Sequence, residues 1–74
     1  MHFGERGHIR ITVNGEAMEV EDGLSIDRLL DRLSVKREFT AVALNREVAP
    51  KSSYAQTRLQ EGDRVEIVRP MGGG

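Results

Sequence analysis

The 74-residue chain has no cysteine and no tryptophan, two prolines, and three aromatic residues, Phe3, Phe39 and Tyr54. Lack of cysteine excludes disulfides, thiolate metal sites and a cysteine nucleophile from this chain. His2 and His8, its two histidines, lie close to the N-terminus with no other ligand spacing around them, so no metal site is expected. Eleven basic and twelve acidic side chains nearly cancel and are interspersed. No basic stretch is available to track a phosphate backbone and few rings are available to stack on bases, so nucleic acid is not an expected partner. No apolar run approaches the roughly 20 residues that span a bilayer, and no leader pattern precedes the first regular segment. The expectation is a cytoplasmic protein, off the membrane and monomeric when free, with one small domain held by packing alone.

What is present is ordered. Met1 to Gly7 is a polar arm, expected to be flexible. From His8 an alternation begins, with Ile9, Ile11 and Val13 on one face and Arg10 and Thr12 on the other. Asn14-Gly15 is a strong hairpin signal because both residues tolerate positive φ. A second strand, Ala17 to Glu21, returns with Met18 and Val20 inward. After Asp22-Gly23, Ser25 can cap a helix, and Ile26, Leu29, Leu30 and Leu33 repeat at helical period. That stripe predicts a helix lying on the sheet, because a sheet this small needs a cover. A charged connector, Ser34 to Glu38, leads to a third strand over Phe39 to Leu44, with Val42 and Leu44 inward. Asn45-Arg46 is a turn whose type stays open, since arginine is awkward in the left-handed region. Glu47 to Ala49 is a short strand stopped by Pro50, and Ser52 to Thr57 a connector with room for one helical turn. Ser52 and Ser53 have no base beside them in sequence, so loop roles are expected rather than catalysis. Leu59 plugs the core ahead of a last strand, in which Val65 and Ile67 face the helix and Arg64, Glu66 and Val68 face away.

This last strand is the most continuously apolar and belongs in the middle of the sheet, parallel to the first. The predicted class is α+β, a mixed five-stranded sheet of order 2-1-5-3-4 with one helix across one face. It is the layout of the β-grasp, or ubiquitin-like, fold. The domain should occupy residues 8–69, with residues 70–74 as a flexible tail ending in Gly72, Gly73 and Gly74. Glycine suits a terminus that must be delivered elsewhere, because a backbone without Cβ fits a narrow channel and leaves its carboxyl carbon open to reagents. A frayed end or a linker is the plain alternative.

Several stretches together resemble the ThiS-type sulfur carriers of thiamin synthesis: Val13-Asn14-Gly15-Glu16, Asp22-Gly23 before the leucine-rich helix, Ala41 to Asn45, Val48-Ala49-Pro50, and Leu59 to Val68. The resemblance runs from about Ile9 to Gly74. Arg46 departs from it, standing where glycine is common, and the arm over residues 1–7 has no counterpart. The resemblance implies a carrier rather than an enzyme, with no stably bound cofactor. A ThiF-type adenylyltransferase would use ATP and Mg²⁺ to activate the Gly74 carboxylate. A sulfur donor protein of the cysteine desulfurase or rhodanese type would supply the sulfur, and thiazole synthase would receive it. Gly72 and Gly73 would allow threading, with Arg69 and Met71 at the mouth of the partner's channel.

The docking face follows from strand alternation. Ala41 and Ala43 share the outer face with Val68, and next to Met71 they make an apolar patch continuous with the tail. Three rivals stay open at this point. One is a carrier like the small subunit of molybdopterin synthase, one a ubiquitin-like protein modifier, and one a β-grasp module that acts by binding alone.

Overall fold

The computed structural model describes residues 7–69. Five strands form one sheet in the order β2-β1-β5-β3-β4. They are β1 (His8–Val13), β2 (Glu16–Glu21), β3 (Ala41–Leu44), β4 (Glu47–Ala49) and β5 (Arg64–Val68), with helix α1 (Ile26–Arg32) between β2 and β3. The predicted topology is the observed one. β5 lies in the middle, parallel to β1 and antiparallel to β3.

Both hairpins turn on residues of positive φ. Asn14 (51°) and Gly15 (87°) join β1 to β2, and Asn45 (52°) and Arg46 (73°) join β3 to β4. Two consecutive positive φ values are the signature of the turn whose twist matches its strands. Arg46 therefore takes the left-handed conformation that glycine would enter freely, at a cost in backbone energy.

The helix forms as its pattern predicts. Ser25 Oγ accepts the Arg28 N–H at 3.2 Å, and Ile26, Leu29 and Leu30 are fully buried. Its other free amides are satisfied from the connector before β5: Ile26 N–H donates to the Thr57 carbonyl (3.0 Å) and Asp27 N–H to the Tyr54 carbonyl (3.2 Å). These bonds pin Tyr54 against the sheet. Tyr54 is 2% exposed and Leu24 6%, so both belong to the core with Ile9, Ile11, Val20, Val42, Leu59 and Val65. The sequence pattern had assigned Tyr54 to a connector and Leu24 to no element.

One boundary is corrected. The third strand begins at Ala41, not Phe39. Arg37–Phe39 is a 3-10 turn, closed by Thr40 N–H to the Arg37 carbonyl and by Thr40 Oγ1 to the Lys36 carbonyl at 3.1 Å. Those local bonds hold the chain in a turn until Thr40, itself buried, hands it to the sheet.

Candidate functional site

β5 leads from the core towards the terminal glycines, so its end is where a site has to be sought. Its entry is tied down first. Gly62 N–H donates to the Arg10 carbonyl (2.8 Å), and Arg10 N–H returns a bond to Glu61 Oε1 (3.0 Å). Asp63 Oδ2 accepts Gln60 N–H (2.8 Å), while Asn45 Oδ1 accepts Arg64 N–H (2.9 Å) and Asn45 Nδ2 donates to Asp63 Oδ1 (3.1 Å). With Val65 fully buried, the strand is anchored through its first half.

Register then decides the outer face. Val68 stands opposite Ala41 and Glu66 opposite Ala43. Ala43 also stands opposite Val48 of β4. Directly opposed residues share a face, so Val68, Ala41, Ala43 and Val48 lie together on the side away from α1. Val68 is 56% exposed, Val48 76% and Phe39 66%. Val68 and Val48, with Ala41 and Ala43 between them, make an apolar patch on this face rather than scattered residues.

Ala41, Ala43 and Val68 are thus brought together as the sequence pattern predicts, and Arg69 is exposed at the end of the strand. Met71, Gly72, Gly73 and Gly74 lie outside the described residues. Val48 was missed as a member of the face. Val48 was legible from alternation, because inward Ala49 beside it puts Val48 outward. Phe39, exposed as well, lies in the 3-10 turn before β3, outside the strand register that defines the face.

Elsewhere among the described residues, polar side chains make local bonds and ion pairs. Ser53 Oγ donates to the Pro50 carbonyl (2.8 Å) and Thr57 Oγ1 to the Ser53 carbonyl (2.8 Å), so these hydroxyls close turns. Among the described residues no group of three or more His, Cys, Asp or Glu side chains is placed to hold a metal ion. The charged face of α1 makes ion pairs. Arg32 reaches Glu21 at 2.8 Å, and Arg37 sits 2.6 Å from Asp27 Oδ1, a buried oxygen with no aligned hydrogen bond. The bond from Arg32, and then its charge, hold the Glu21 carboxyl below the usual glutamate range. A hollow of about 410 Å³ is lined by Glu21, Asp22, Ser25, Arg28 and Arg58, away from the apolar face.

Known proteins resemble this chain in sequence and in fold. Residues 11–74 match the ThiS family. The sulfur carrier protein ThiS of Escherichia coli is 29% identical over 66 residues, covering 89% of this chain and 100% of that protein. A crystal structure of the thiamine biosynthesis protein ThiS from Geobacter metallireducens superposes with a TM-score of 0.80 at 36% identity, covering 89% of this chain and 100% of that one. A thiazole synthase of Paramagnetospirillum magneticum is 39% identical over 66 residues, or 89% of this chain. The chain spans 20% of the length of that synthase. Fold, terminal strand and family match agree: the chain belongs to the ThiS family, the sulfur carriers of thiamine biosynthesis.

Proposed function

We propose that the chain carries sulfur on Gly74 as a thiocarboxylate and acts as a co-substrate of other enzymes. A free carboxylate is a poor acyl donor. A partner adenylyltransferase holding ATP and Mg²⁺ would activate it: a Gly74 oxygen attacks the α-phosphorus, pyrophosphate leaves, and an acyl-adenylate forms. A sulfur nucleophile from a donor protein then attacks the acyl carbon and AMP leaves. Attack by a second thiol of a partner on the donor's sulfur breaks the S–S bond of the resulting acyl disulfide, joins the donor and that thiol as a disulfide, and frees the thiocarboxylate, whose soft sulfur is a better nucleophile than the oxygen it replaces. Thiazole synthase is the proposed acceptor, a reading supported by the carrier-like segment within the P. magneticum thiazole synthase.

This chain would contribute three things. Gly74 is the atom-bearing terminus, and Gly72 and Gly73 leave room for a channel wall close to the backbone. Val68, Ala41 and Ala43, with Val48 beside them, form the apolar docking face, and Arg69 and Met71 fall between face and terminus. The observation that carries the reading is that the family match runs to Gly74 and takes in β5, the strand anchored at the centre of the sheet.

The test is a one-residue extension. With adenylyltransferase, ATP and Mg²⁺, the chain ending at Gly74 should release pyrophosphate, and a chain with one alanine added after Gly74 should not. The extra residue moves the carboxylate by about 3.5 Å, beyond the alignment an in-line attack needs. Equal pyrophosphate release from the two chains would refute Gly74 as the activated residue.

A further inference from the structure

β5 outruns its parallel neighbour. Two register pairs join β1 to β5, Thr12 with Arg64 and Val13 with Val65, before β1 ends in the Asn14-Gly15 turn. The ladder on that side runs Thr12 N–H to the Asp63 carbonyl (3.0 Å), then Asn14 N–H to the Val65 carbonyl (2.9 Å). In a continuing parallel strand the next rung would run from Ile67 N–H to the backbone carbonyl of residue 14. Here Ile67 N–H instead donates to the side-chain oxygen of Asn14, at 2.8 Å. The amide side chain extends the ladder by one rung beyond the point where the β1 backbone turns away.

The turn alone does not require this side chain. At a φ of 51° glycine would serve at least as well, and glycine has no acceptor. The two turn asparagines therefore share one task on the central strand. Asn45 takes the Arg64 N–H where β5 begins, and Asn14 takes the Ile67 N–H where β5 leaves.

We infer that Asn14 is a positioning residue for the tail: its side-chain oxygen, on the edge of β5 opposite the β3 pairing, holds Ile67 and Val68 in strand conformation where the chain leaves the sheet. This rests on the sulfur-carrier reading above. A carrier whose last turn of strand is already ordered loses less freedom when a partner takes its terminus, so it should be recognised at lower concentration.

The test separates the turn from the clamp. Asn14→Gly keeps the backbone conformation and removes the acceptor; Asn14→Asp tolerates the same conformation and restores an acceptor oxygen. Amide hydrogen exchange at Ile67, followed by NMR well below the melting temperature, should speed up on the order of fivefold in Asn14→Gly, the worth of one such bond. It should return towards the parent rate in Asn14→Asp. In the pyrophosphate assay KM for the Asn14→Gly carrier should rise by up to the same factor at unchanged kcat, again rescued by Asn14→Asp. Unchanged exchange at Ile67 would overturn the clamp. Faster exchange with unchanged KM would reduce Asn14 to a structural role and overturn the positioning inference. No turnover with the parent chain would instead overturn the carrier reading, while the exchange rates would still decide the clamp.

Discussion

Aspartate placed at two positions three residues apart on β5 should have opposite consequences. Val65 is fully buried, facing α1, whereas Val68 is 56% exposed on the outer face. For a domain of this length total stability is about 4–11 kcal/mol, at the usual stability per residue. A carboxyl group at position 65 would lose its water without gaining a partner, at a cost of several kcal/mol, so Val65→Asp should be largely unfolded. At position 68 less than half of the side chain is covered. The lost burial and poorer strand propensity together come to about 1 kcal/mol, or roughly 4–8 °C in Tm. Circular dichroism melts should show this contrast. Against the adenylyltransferase the folded Val68→Asp should still fail: a carboxylate forced into an apolar contact should cost about 2 kcal/mol or more, near thirtyfold in Kd by calorimetry. If Val68→Asp melts like Val65→Asp, the face assignment is wrong. If it folds and binds both adenylyltransferase and thiazole synthase like the parent, Val68 is not part of the docking surface.

Two further outcomes follow from local structure. Arg46→Gly should raise stability by about 0.5–1 kcal/mol, because Arg46 holds a φ of 73° that glycine adopts without strain; thermal melting checks it, and a lower Tm would show that the arginine side chain matters more than its backbone. Glu21, whose pKa is lowered by Arg32, should stabilise the fold above the usual glutamate range and lose that contribution as pH falls through its depressed folded value. Titrating Tm from pH 7 downwards, the gap between the parent and Glu21→Gln should be small, as for an exposed pair, and should close in acid; a gap that widens in acid would contradict the assignment.

Much of this was legible because it repeats. Alternation placed Ile9, Ile11, Val20, Val42 and Val65 inward, helical period did the same for Ile26, Leu29 and Leu30, and all eight are buried. The outer face of Ala41, Ala43 and Val68 came from the same period of two. What stayed hidden lies where period gives no guide. Tyr54 and Leu24 sit in irregular segments, and their burial depends on long-range bonds such as Leu59 N–H to the Leu24 carbonyl at 2.8 Å. Asn14 read as a turn residue, with nothing local to announce a side-chain bond to an amide 53 residues later. The start of β3 was misplaced because Phe39 and Thr40 have strand propensity, yet the Thr40 hydroxyl and amide are engaged in closing the preceding turn.

Sulfur carried on Gly74 would show itself in the intact mass of the chain. The chain should be incubated with adenylyltransferase, ATP, Mg²⁺ and a sulfur donor, then weighed whole and fragmented. The mass should rise by the difference between sulfur and oxygen, and the gain should map to Gly74, since the chain has no cysteine to hold a persulfide. No such gain, or the same gain mapped to another residue, would contradict sulfur carriage on Gly74.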